Sequence, residues 1–166
     1  MPYEFSELRL RYPDHRIRRA WSWLCRVVET KIEHLLATNG SGGNLTRGQV
    51  VYFSGNNQVD LASAAAVDAH PEWCGIVVDA VWSNGDVSPV RTDNVAYVRF
   101  EAGLNPAAGD AVYLSATEAG SATTAAPAAE NTWVVKLGVI VQADIYAVGN
   151  PFCWVLLNNC CEAIIL

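Results

Sequence analysis

The chain has 166 residues and a formal net charge of -6, with 51% hydrophobic and only 17% charged residues. That length holds about one domain with an appendage, and such apolarity leaves surface to bury in an oligomer. The acidic balance argues against nucleic acid as a partner, and the lack of a charge-free apolar run of about 18 residues argues against a membrane span.

The first segment, Met1–Glu7, lacks the basic and apolar regions of a signal peptide. Pro2 and Pro13 punctuate an irregular lead-in, and Asp14 is placed to cap a helix. From His15 to Ala37, Ile17, Trp21, Leu24, Val28 and Ile32 recur in steps of three and four and predict one apolar helix face. Lys31 and His34 near its end suit the helix dipole, and Asn39-Gly40 reads as its stop. The first 40 residues carry seven of the 11 basic residues, Arg18 and Arg19 among them, so a mildly basic arm precedes an acidic body. The expected organisation is an arm over 1–38, a Gly-rich linker over 39–44 and a body over 45–166.

The body reads as short strands. Expected strands are 49–53, 58–61, 75–82, 87–90, 94–100, 111–115, 133–137, 138–145 and 153–157, with 163–166 as a terminal edge. Turn residues separate them at Ser54–Asn57, Ser83–Asp86, Asn105-Pro106, Ala119-Gly120 and Val148–Pro151. The Ala/Thr/Ser-rich stretch 116–129 is expected to be an exposed loop. The fold class is therefore mainly β: a small barrel or tulip-like body behind an α-helical arm.

One segment is written twice. Gly48-Gln-Val-Val-Tyr-Phe-Ser54 recurs as Gly109-Asp-Ala-Val-Tyr-Leu-Ser115. Gly75-Ile-Val-Val-Asp-Ala80 follows the first copy, and Gly138-Val-Ile-Val-Gln-Ala143 follows the second. Two pseudo-repeated strand–loop–strand units are implied. Gly48 and Gly109 serve the turn before a strand, and Gly75 and Gly138 open or bulge the next.

Residues that carry chemistry are sparse. His15, His34 and His70 have no neighbouring nucleophile motif. Asp79 with Asp86 or Asp93 is the best carboxylate pairing, but all three fall at strand ends and turns. Ser83-Asn-Gly-Asp86 lacks the alternating ligands of a calcium loop and reads as a hairpin turn. Cys25, Cys74, Cys153, Cys160 and Cys161 have neither framework nor metal spacing and read as free thiols. No catalytic residue, metal ligand or cofactor site is expected. Of the six tryptophans, Trp133 and Trp154 fall on strands, and with Val77, Val139 and Val141 they are candidates for an oligomer interface.

The second copy carries a resemblance. Leu104-Asn-Pro-Ala-Ala-Gly109, the strand Gly109–Ser115, the loop with Ala119-Gly120, Thr123-Thr124 and Pro127, and Leu137-Gly-Val-Ile-Val141 resemble a motif of tailed-bacteriophage virion proteins. These include capsid decoration (cement) proteins and related head-fibre and tail domains. The resemblance covers about residues 44–157 and leaves the arm without a counterpart. It implies a β-barrel or tulip body, a homotrimer, the major capsid protein as partner, and a place on the capsid exterior after assembly in the host cytoplasm. Ile17, Trp21, Leu24, Val28 and Ile32, with Arg18 and Arg19, are then the candidate capsid-binding residues of the arm. An alternative is a fibre or tail domain that binds a host surface glycan through exposed Trp and Tyr. A small hydrolase on a β-scaffold is the third class, and it lacks a nucleophile–base pair.

Overall fold

The computed structural model describes residues 34–65, 74–144 and 151–165; the arm residues before His34 lie outside them. The described chain is all β. Its first seven strands are β1 (His34–Asn39), β2 (Leu45–Thr46), β3 (Val50–Gly55), β4 (Gln58–Leu61), β5 (Cys74–Val77), β6 (Val81–Trp82) and β7 (Val87–Arg91). The rest are β8 (Val95–Arg99), β9 (Ala111–Leu114), β10 (Ala122–Thr123), β11 (Trp133–Asp144) and β12 (Phe152–Ile165).

Five strands close a barrel in the order β1-β4-β3-β5-β7. The closing contact is parallel, with Asn39 opposite Val59. A second sheet has the order β10-β9-β11-β12-β8, and its two ends meet at a parallel bridge between Phe100 and Ala122. The backbone bond across each closure is the same: Gly40 N–H donates to Val59 C=O, and Glu101 N–H to Ala122 C=O, both at 2.9 Å. We call this sheet the second barrel.

The two barrels repeat each other strand for strand. In the first, Val50 pairs with Ile76 and Val51 with Gly75; in the second, Ala111 pairs with Val139 and Val112 with Gly138. The next ladder matches Val77↔Val90 with Ile140↔Val155. The outer ladder matches Leu36↔Pro89 and Ala37↔Ser88 with Tyr97↔Trp154 and Val98↔Cys153. The turns agree as well. Gly48 N–H donates to Val77 C=O at 2.9 Å, and Gly109 N–H to Ile140 C=O at 2.8 Å. The next side chain caps the turn in both copies: Gln49 Oε1 accepts from Thr46 N–H at 2.6 Å, and Asp110 Oδ2 from Ala107 N–H at 2.9 Å. The duplication seen at Gly48 and Gly109 thus extends to a whole five-stranded unit.

Alternation along these strands fills both interiors. Ala37, Val51, Val59, Val77 and Val90 line the first barrel, and Trp82 and Leu45 join their cluster. The equivalent Val98, Val112, Ala122, Ile140 and Val155 fill the second. Outward residues of the first barrel, Val50, Ala62, Cys74 and Ile76, are buried with the second cluster. The barrels therefore pack against each other and share that apolar seam.

Several expectations change. The helix extrapolated to Ala37 ends too late, because His34–Asn39 is β1, hydrogen-bonded to β7 on one side and β4 on the other. Long-range ladders outweigh a local three-and-four spacing here. The body thus begins at His34, and the Gly-rich 40–44 stretch joins two of its strands instead of separating arm from body. The helix face Ile17–Ile32 lies outside the described residues. The strand expected over 75–82 divides at Val78–Ala80, and those expected over 133–137 and 138–145 are one strand with a register shift between Lys136 and Gly138. Residues 163–165 belong to β12, which pairs with the start of β11. The 116–129 stretch is not a wholly exposed loop: it contains β10, and Ser121 and Ala122 are fully buried. Closing the second sheet requires a strand there, and Ala and Thr are small enough to sit at the closure.

Candidate functional site

The surface feature with the most chemistry is an aromatic row on the outer face of β8 and β12. Alternation in β8 turns Ala96, Val98 and Phe100 inward and leaves Val95, Tyr97 and Arg99 half-buried on the other face. On β12, Phe152 pairs with Arg99 and Trp154 with Tyr97. The rings of Tyr97 and Phe152 stack at 5.0 Å and 8°, and Tyr97 meets Trp154 at 5.1 Å and 52°. These separations are those of favourable aromatic pairs. Trp154 keeps 39% of its surface exposed, and Leu156 beyond it keeps 48%.

Tyr97 and Trp154 form one wall of a cleft of about 480 Å³ between the barrels. Ile76, Val77, Val78, Arg47 and Arg91 line it from the first barrel. Arg47 is exposed and anchored by its Nε–H, which donates to Val78 C=O at 3.0 Å. Arg91 donates to Val95 C=O and so holds the short connection between the barrels. Two guanidinium groups beside a half-exposed indole can hold a planar or anionic ligand by stacking and by forked hydrogen bonds.

A polar cluster lies at the start of the 116–129 stretch. The Ser115 hydroxyl accepts from Thr117 N–H at 3.0 Å and Glu118 N–H at 2.8 Å, and donates to Glu101. Glu118 pairs with Arg99 at 2.6 Å. Ser115 is fully buried, its hydrogen bonds are used in shaping the turn, and the Glu101 carboxylate it meets also accepts from the Thr117 hydroxyl. Its arrangement is that of a turn clamp. Asp79 accepts from Ser88, while Asp86 lies in the exposed β6–β7 turn. Among the described residues, no group of three or more His, Cys, Asp or Glu side chains converges to hold a metal. Cys74 and Cys153 are buried and form no disulfide.

The interface candidates separate. Val77 is 1% exposed inside the first barrel, so it is a core residue with almost no surface to offer a partner, and it only touches the cleft. It was singled out as part of a Val/Ile run, which reads the same in a barrel interior and in an interface. Trp133 is half-buried against the second core. Val139 is half-buried on the outside of β11, and Val141 (47% exposed) and Trp154 lie open. Tyr97, Phe152, Arg47 and Arg91 were not singled out in the sequence. Tyr97 and Phe152 carried a signal, since each is the outward member of an alternating strand. No local signal places Arg47 and Arg91 on one cleft, because their segments are linked only through the β3–β5 and β5–β7 pairings.

No protein-family model, curated protein or solved structure matches the chain.

Proposed function

We propose that the protein is a virion structural protein of a tailed bacteriophage, a decoration protein that binds the outer surface of the head as a trimer and stabilises the mature shell. The observation that carries this reading is the amount of large apolar surface left open on a closed β-body: Leu35, Leu36, Val81, Val87, Val141, Trp154 and Leu156 are all more than a third exposed. Such surface on rigid barrels suits permanent burial against other subunits. The residues that resemble phage virion proteins support it further, since Gly109–Ser115 and Leu137–Val141 are paired β-scaffold of the second barrel.

The test follows the strand boundary. Residues 1–33 are to be removed, because a deletion to 38 would take β1 out of the first barrel. The expected result is a folded body that no longer decorates empty mature capsids, while the full chain does. A truncated body that decorates shells at full occupancy would refute the anchoring role of Ile17, Trp21, Leu24, Val28 and Ile32 with Arg18 and Arg19. Full chain that binds no shell would refute the decoration reading itself.

The Tyr97–Trp154 row beside Arg47 favours a second reading, a fibre or tail domain that binds a host glycan. Binding on a glycan array that is lost on Trp154→Ala would select it.

A further inference from the structure

The duplication allows each surface of one barrel to be compared with the same surface of the other, and the comparison is uneven. At the junction inside the chain, the first barrel offers its back and the second its front. Phe152 and the Arg99 backbone lie directly over Gly48, where an added Cβ would come within 2.8 Å of Phe152 Cε1 and 3.0 Å of Arg99 N. Arg99 N–H donates to Gly48 C=O at 2.8 Å, and Val50 N–H donates to Gly120 C=O at 2.9 Å. Val50 and Ile76 are thereby buried, at 0% and 2% exposure.

Among the described residues, nothing gives the equivalent surfaces at the two outer ends such cover. On the back of the second barrel, a Cβ on Gly109 would meet nothing within 4 Å. Ala111 and Val139, the counterparts of Val50 and Ile76, are only half-buried, and Val141 is 47% exposed. On the front of the first barrel, Val87 and Leu36 are the counterparts of Phe152 and Tyr97, and they are 64% and 67% exposed. Ser54 is exposed where its counterpart Ser115 is buried. Each described chain thus ends in one unused front and one unused back of the same kind that it joins internally.

We infer that copies of this chain associate head to tail, the front of the first barrel of one copy (Leu36, Val87) seating on the back of the second barrel of the next (Gly109, Ala111, Val139). The occupant is a second copy because, among the described residues, the surface that seats on a barrel back is a barrel front. The fit shares the apolar contacts of the internal junction and does not repeat its backbone bonds: Thr38 N–H, the counterpart of Arg99 N–H, already donates to Asn57 C=O at 2.7 Å, whereas the internal junction also has bonds from Gly120 N–H to Ala62 C=O at 2.7 Å and from Ala64 N–H to Ser115 C=O at 2.9 Å. Such a heterologous contact closes into a ring or runs on as a fibre. A ring of three copies would set six barrels in one repeating relation. The inference does not depend on the virion reading, since it requires neither a capsid nor the residues before His34.

The experiment uses two classes of full-length single variant and mass in solution by light scattering. Val87→Glu spoils the front; Val141→Glu spoils the back, with Ala111→Glu as a second back variant. All are outward-facing, and an unchanged β-type circular dichroism spectrum selects the variants to be weighed. The wild-type chain is expected to be a multimer and each variant alone a monomer of 18.0 kDa. An equimolar front-plus-back mixture is expected to give a dimer and nothing larger, because one good front and one good back remain. A monomeric wild type, variants that keep the wild-type mass, or a mixture that stays monomeric would each overturn the inference. A face-to-face dimer or a front covered by residues 1–33 of its own chain would give one of those results. Capsid binding is read separately, so failure of the decoration reading leaves this result intact.

Discussion

Gly48 and Gly109 hold the same position in two barrels, with φ of 83° and 95°, and only Gly48 is covered, by Phe152. The φ values place both in the left-handed region, where an L side chain costs about 1–2 kcal/mol. Gly48→Ala must in addition push Phe152 and the Arg99 backbone aside, an overpacking cost of about 1–3 kcal/mol. We expect Gly48→Ala to destabilise the chain clearly more than Gly109→Ala in urea denaturation. Equal losses would mean that the junction at Phe152 is looser than described.

Gly138 is required by close approach. A Cβ there would lie 2.1 Å from Leu156 C=O oxygen, and backbone cannot rotate away as a side chain can. At the equivalent Gly75 the nearest obstacle, at 2.2 Å, is a Val90 methyl. Gly138→Ala should therefore cost at least about 3 kcal/mol and shift the β11–β12 register, with Gly75→Ala milder. Thermal melts rank the two, and amide shifts along Val134–Ile140 show whether the ladder has moved.

Trp82 packs in the core cluster of the first barrel. It is 2% exposed, and its indole N–H donates to Asp86 C=O at 2.8 Å. Trp82→Ala should cost about 3–5 kcal/mol, the usual range for a large aromatic removed from a core. Trp82→Phe keeps most of the packing and loses the bond, so its loss in the same urea titration should be well below that of the alanine variant.

Tyr52 gives the body a weakness towards base. Burial raises its phenol above the ordinary 10.0, and the Asp60 carboxylate on the facing strand raises it further. The folded form then holds a proton that the unfolded form has released, so stability falls as pH rises from 10.0 through the raised value. The contribution is fully present below pH 10.0. Tyr52→Phe should flatten the loss of stability across that window. An identical pH profile for the variant would show that Tyr52 is not its source.

The sequence revealed the fold wherever the signal was local. Alternation along Val95–Phe100, the turn at Ser83–Asp86 and the paired Gly48 and Gly109 turns all lie within a few residues, and each is as expected. β1 was hidden because its evidence is distant. His34–Asn39 becomes a strand through Val87–Arg91 and Gln58-Val59, while its own neighbours spell a helix. β10 was hidden for a related reason, since two small residues in a Ser/Thr/Ala stretch have no period of their own. In the candidate cleft Trp154 was legible as an aromatic on a strand. Arg47 and Arg91 were not, because their segments come together only through the β3–β5 and β5–β7 pairings.

The shared seam has a consequence for the order in which the molecule is made. The first barrel is complete once Arg91 has been synthesised, yet among the described residues most of the cluster that buries Val50, Ala62 and Ile76 on its flank comes from Ala96 onward. The nascent chain therefore carries a finished barrel with a bare apolar side until the second has emerged, an interval open to misassembly between neighbouring chains on one message. The three residues between β7 and β8 keep that interval short, because the strand that begins to cover the flank is the next to leave the ribosome.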